Sequence, residues 1–137
     1  MTRWGAAGTT SPGFTLVELL VAIAIVGILA SIAVPSYQEH LRRGAMMDMT
    51  ASLGTGRVAI EQFYLDNRTY VGGPCPAATR RFNVACEFAA GSYTVTATGT
   101  GLMDAFVLTL DETGAQTTAG PWGKADCWLD RKGDTCS

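Results

Sequence analysis

The stretch SPGFTLVELLVAIAIVGILASIAVPSY, Ser11 to Tyr37, decides how the rest of the chain is read. From Phe14 to Val34 it is almost wholly apolar, and its one charge is Glu18. A run of about 20 apolar residues is long enough to cross a bilayer as a helix. It is longer than the apolar core of a secretory signal peptide, and the small-residue cleavage point lies before it, at Pro12-Gly13-Phe14, rather than after it. A carboxylate in hydrocarbon is costly unless it finds a partner. At the membrane edge Glu18 snorkels to the headgroups; deeper in, it needs a cation. No Lys or Arg occurs between Phe14 and Tyr37. Removal of residues 1–13 after Gly13 creates one, the new α-amino group of Phe14, on the same or a neighbouring chain.

The leader MTRWGAAGTTSPG carries Arg3 and no acidic residue, which holds it on the cytoplasmic side and sends the remainder to the periplasmic side. The chain has 137 residues, enough for one compact domain and an appendage. Apolar residues make up 47% and charged residues 16%, with a net charge of −2, so there is no global basic footprint for nucleic acid and only a local patch is open to it. Four cysteines, Cys75, Cys86, Cys127 and Cys136, form an even set beside a membrane-targeting segment, which points to disulfides in an oxidising compartment.

Gly-Phe-Thr-Leu-Val-Glu at Gly13–Glu18, followed by the long apolar run, resembles the N-terminus of type IV pilins and pseudopilins. Gly27 and Pro35 fall where pilins carry a helix-loosening Gly and Pro. A looser likeness continues through EQFYLDNRTYVGG, Glu61 to Gly73, which is similar to minor pilins of the PilE kind. The resemblance implies a prepilin peptidase that cuts between Gly13 and Phe14 and N-methylates Phe14. It implies a precursor in the inner membrane with its head in the periplasm, and then an extracellular fibre made with other pilins on the inner-membrane assembly platform. In that fibre the helices pack as a core and Glu18 meets the Phe14 amine of a neighbour. Motility, adhesion and DNA uptake are the activities such fibres serve. The domain plan is therefore a cleaved leader over 1–13, a hydrophobic helix over 14–43 serving as anchor and filament core, and a globular head over 44–137.

Beyond Pro35, Met46, Met49, Leu53, Ile60 and Phe63 or Tyr64 recur at three- and four-residue spacing and predict one buried helical face. Pro35 lacks an N–H, so a kink or melted turn is expected between Gly27 and Pro35. Gly44, Gly54 and Gly56 are read as close packing on a sheet. Asp66-Asn67 and Gly72-Gly73-Pro74 end the helix, which spans about 80 Å from Phe14 at 1.5 Å per residue. A loop follows over 69–91. Strands are expected at YTVTATGT (93–100), DAFVLTLDE (104–112), GAQTT (114–118) and DCWLD (126–130). The fold class is α+β: a long N-terminal helix on an antiparallel sheet of about four strands, a pilin fold.

Four cysteines allow three connectivities. The resemblance favours Cys75–Cys86 and Cys127–Cys136, the second stapling a C-terminal loop. Intervals of ten and eight residues within the pairs are wrong for zinc, and no metal or cofactor is expected. Asp126, Asp130 and Asp134 make a solvated acidic loop by default, with a calcium site of the pseudopilin sort as the sharper reading. The single His40 has no catalytic partner, and neither a phosphate loop nor a nucleophile elbow occurs, so the chain reads as the substrate of an enzyme rather than an enzyme. Three functions compete: a pilus subunit, foremost a minor pilin; a DNA-binding competence pilin; and a type II secretion pseudopilin. The DNA reading uses Arg80, Arg81, Lys124, Arg131 and Lys132, with Trp122 and Trp128 stacking on bases, on condition that the two disulfide loops are neighbours. The residues alone favour scattered solvated charges and a core Trp.

Overall fold

The computed structural model describes Met1, Gly8 and residues 12–137. The leader expected over 1–13, Arg3 included, lies outside the described residues apart from Met1, Gly8, Pro12 and Gly13. The chain forms two units, Met1–Ser36 and Tyr37–Ser137. One helix, α1 (Leu16–Asn67), runs through both. It is followed by β1 (Phe82–Phe88), β2 (Tyr93–Gly99), a short 3-10 turn (Gly101–Met103), β3 (Val107–Asp111), β4 (Gln116–Gly120) and β5 (Gly123–Ala125).

In the first unit α1 is exposed along its apolar length: Leu16, Ile23, Ile28 and Ile32 are all more than half open. Such a surface is stable only against hydrocarbon or other helices. The helix starts with a capping interaction, the Glu18 N–H donating to Thr15 Oγ1 at 3.1 Å, in a Thr-x-x-Glu pattern. The turn expected to melt between Gly27 and Pro35 is helical throughout, because Pro35 deletes a single donor while the turns on either side keep theirs. Ser31 Oγ back-bonds to Ile28 O at 2.7 Å in the same stretch.

In the second unit α1 turns Ala45, Met46, Met49, Leu53, Gly56 and Ile60 inward. These join Phe82, Tyr93, Val95, Ala97, Leu108 and Leu110 of the sheet in one core. Fully burying a Met or Leu side chain contributes about 1.5–3 kcal/mol, so this face fixes the helix on the sheet. The three helical glycines divide. At Gly56 a Cβ would overlap the Pro76 ring, so its role is close approach of the loop before β1, not of the sheet. Gly44 and Gly54 have open space where a side chain would stand. The helix ends with Arg68 in the left-handed region (φ 58), its N–H donating to Tyr64 O, while Asn67 Nδ2 donates to Phe63 O.

The sheet is antiparallel in chain order, β1-β2-β3-β4-β5. It has five strands, against about four expected. The loop expected over 69–91 contains β1, whose Phe82, Val84, Cys86 and Phe88 alternate toward the core side. DCWLD is no strand. The last strand is Gly123–Ala125, and the chain then leaves the ladder because the buried Thr118 hydroxyl takes its place: Oγ1 donates to Cys127 O at 2.8 Å and accepts from Leu129 N at 3.0 Å.

At the far end of α1, the two oxygens of Glu61 each accept a tyrosine hydroxyl, from Tyr70 at 3.1 Å and Tyr93 at 3.2 Å. Tyr70 packs edge-on to Tyr93 and stacks on Tyr64, so one carboxylate ties the helix to the following loop and to β2. Burial, then the charge and hydrogen bond of Glu61, push the Tyr93 hydroxyl up to about 12. A phenol raised above its unfolded value of 10.0 gives stability that is intact below pH 10 and lost as the pH climbs toward 12. Tyr93→Phe should therefore flatten the alkaline limb of the stability profile, measured by urea unfolding of the full chain in detergent; an unchanged limb would contradict the Glu61 clasp.

Candidate nucleic-acid interface and assembly segment

Gly13 and Phe14 are both exposed, Phe14 at 88%, outside regular secondary structure just before α1. Glu18 lies one turn on, exposed, with no salt-bridge partner among the described residues. Its backbone is engaged by Thr15 and its carboxylate is left over. Gly27 has open space around its Cα, and Pro35 lies eight residues further along the same helix.

The structure joins Cys75 to Cys86 (Cα–Cα 5.9 Å) and Cys127 to Cys136 (5.7 Å). The first ties the loop after α1 to β1, where Ser52 Oγ also donates to Ala77 O at 2.7 Å. The second closes a loop with two unlike halves. Residues 127–129 are fixed by Thr118, by the buried Leu129 and by Trp128 Nε1, which donates to Thr109 O at 3.1 Å. Residues 131–137 are exposed save for Asp134, whose own bonds run to Asp130 and Arg131 within the loop.

The five basic residues do not form one cluster. Cys86 stands on edge strand β1 and Cys127 just beyond edge strand β5, so the two disulfides occupy opposite edges of the sheet and the condition for a single patch fails. Four strand spacings separate those edges, about 19 Å. Arg80 and Arg81 share a recess of about 560 Å³ with His40, Gly44, Asp48 and Gly101. Arg131 shares another, of about 550 Å³, with Arg43, Met47, Trp128, Asp130 and Asp134, where the charges cancel. Lys124 is exposed on β5 and Lys132 at the loop tip. Trp122 is a core residue, edge-on to Phe106 at 4.9 Å, and is withdrawn from any stacking role; Trp128 is partly buried against the core, its N–H committed to Thr109. Arg43 was not singled out in the sequence, and nothing in spacing could pair it with Arg131. Among the described residues no three His, Cys, Asp or Glu side chains converge as metal ligands.

An apolar N-terminal helix opening on Gly-Phe-Thr-Leu-Val-Glu and continuing onto an antiparallel sheet with a stapled C-terminal loop defines a type IV pilin. Residues 10–34 match the prokaryotic N-terminal methylation motif. Residues 35–127 match the family described as type IV minor pilin ComP, DNA uptake sequence receptor, and the chain belongs to that family. It is 45% identical over 56 residues to the type IV major fimbrial protein FimA of Dichelobacter nodosus, covering 41% of this chain and 36% of that protein. It is 39% identical over 59 residues to the type IV major alpha-pilin of Moraxella bovis, covering 43% and 37%. It is 41% identical over 75 residues to the prepilin peptidase-dependent protein D of Escherichia coli K12, covering 50% and 51%. The chain thus spans between about a third and a half of the length of these relatives.

The two halves of the C-terminal loop should part on reduction. Trypsin should cleave after Arg131 and Lys132 faster in the Cys127→Ser/Cys136→Ser variant than in the oxidised protein, while cleavage after Lys124 in β5 stays unchanged. Equal cleavage would mean that contacts other than the disulfide hold the outer half.

Proposed function

We propose that this protein is a minor subunit of a type IV pilus that captures DNA at the fibre surface. It is made as an inner-membrane precursor with its head in the periplasm. Prepilin peptidase cuts it between Gly13 and Phe14 and N-methylates Phe14, and it is assembled with other pilins into an extracellular fibre. Glu18 and the Phe14 amine of a neighbouring subunit form the assembly contact, and Gly27 and Pro35 are where the helix loosens inside the fibre. The role is structural and binding, with no catalytic step.

The observation that carries this reading is the match of residues 35–127 to a family of DNA uptake sequence receptors, because it covers nearly all of the compact head. The same match favours a pilus over a type II secretion pseudopilus. With a net charge of −2 the head attracts DNA only locally. Arg80 and Arg81 at one sheet edge, and Lys124, Arg131 and Lys132 at the other, act as separate local contacts to backbone phosphates. Contacts of this kind position DNA; they do not read sequence.

Salt-titrated DNA binding by the full chain in detergent tests this. Each phosphate contact contributes about 0.9 to the log–log salt slope, so Arg80→Ala/Arg81→Ala should make the slope shallower by about 1.8 and weaken binding to all sequences alike. Absence of DNA binding even at low salt would remove the receptor role and leave a pilus subunit.

A further inference from the structure

Arg80 and Arg81 are exposed at the rim of a recess whose shape and place in the chain go beyond what phosphate contacts to a duplex require. It is a concavity of about 560 Å³ between the α1 turns at His40–Asp48, the residues before β1 and the β2–β3 connection. A duplex presents its phosphates on a convex surface far wider than this, whereas a recess of this size admits one phosphodiester with its small substituents. The floor is kept open by glycines. Gly44 has nothing within 4 Å of where a Cβ would stand, and Gly101, at φ +59, lets the Arg81 guanidinium come within 3.6 Å of that position. Leu41 and Ala45 give the wall an apolar side. Arg80, Arg81 and His40 face one acid, Asp48, while Arg42 nearby is engaged with Glu39 at 3.6 Å and with Leu102 O at 3.3 Å.

Place in the chain supplies the second argument. His40 follows Val34, the last residue of the apolar run, by only six residues. The headgroup layer of a bilayer is about 5–7 Å deep on each side, and arginine stems extend several ångströms toward it. Tyr37, 64% exposed and three residues before His40 in the sequence, is the aromatic type that sits at headgroup level.

We propose that, while the subunit is anchored in the bilayer, this recess receives the phosphodiester headgroup of an anionic phospholipid, gripped by Arg80 and Arg81 and bordered by His40. Two guanidiniums favour a headgroup with net negative charge over a zwitterionic one, whose ammonium group would meet them. The head is thereby held against the membrane surface before it is drawn into a fibre. This rests on the membrane-anchored precursor described above and assigns that state a ligand.

The test uses the full chain in nanodiscs of phosphatidylcholine alone and of phosphatidylcholine with phosphatidylglycerol. Co-elution with both kinds of disc checks the anchor independently of the recess. Amide hydrogen exchange at 79–81 and 100–101 should slow several-fold in the anionic discs only, and Arg80→Ala/Arg81→Ala should abolish the difference while exchange in the core strand β2 is unchanged. Inorganic phosphate added to phosphatidylcholine discs should leave these amides unprotected, since a free anion lacks the bilayer's local concentration. Equal exchange in both discs overturns the proposal. So does protection by phosphate alone, or protection by duplex DNA in phosphatidylcholine discs with none from phosphatidylglycerol; the last would make the recess part of the DNA surface.

Discussion

The inward stripe Ala45, Met46, Met49, Leu53, Gly56 and Ile60 is the contact on which the head depends. It turns one face of an otherwise exposed helix into the floor of a core whose roof is Phe82, Val95, Ala97, Leu108 and Leu110. The strands alone would be a small sheet with one wet apolar face, and α1 alone would be unpaired along its whole length. Once the two are joined, the remaining ties are local. Pro76 seats on Gly56, Glu61 clasps Tyr70 and Tyr93, and Thr118 holds the turn into the last disulfide loop. The first unit of the same helix makes no such contact: its apolar residues from Leu16 to Val34 are all exposed and call for a bilayer or for neighbouring helices.

That division was legible in the sequence because burial leaves a period. Met46, Met49, Leu53 and Ile60 repeat at helical spacing and are all buried, whereas the run from Phe14 to Val34 has no polar face at all. Strand β1 is hidden by its setting: FNVACEF alternates at Phe82, Val84, Cys86 and Phe88, but it lies in a stretch rich in Gly, Pro and Ala that reads as loop. DCWLD has the apolar weight of a strand, but a single hydroxyl, that of Thr118, draws it off the ladder, and a residue's power to do that from nine positions away has no sequence period. The basic recesses were the least legible. Arg43 meets Arg131, and His40 meets Arg80 and Arg81, only through the way α1 lies across the sheet.

Glu18 looks at first like an error in a membrane helix. Its Thr-x-x-Glu setting gives it a local role at the start of α1, and the backbone half of that role is formed. Among the described residues the carboxylate itself has no partner, so capping does not exhaust it. Residues 10–34 match the N-terminal methylation motif, and the pairing proposed above, of Glu18 with the Phe14 amine of a neighbouring subunit, would give this spare negative charge a use. On that proposal cleavage, the ion pair and assembly are one sequence of events written into six residues, Gly13 to Glu18.

Glutamine separates the two roles, because it is accepted at the third position of a capping box but carries no charge. The most direct measurement is the fraction of Glu18→Gln subunit recovered in sheared surface fibres, beside the fraction of its precursor that has been cleaved. The account predicts normal cleavage after Gly13 and a strong loss from the fibres. Incorporation at the level of the unaltered protein would contradict it.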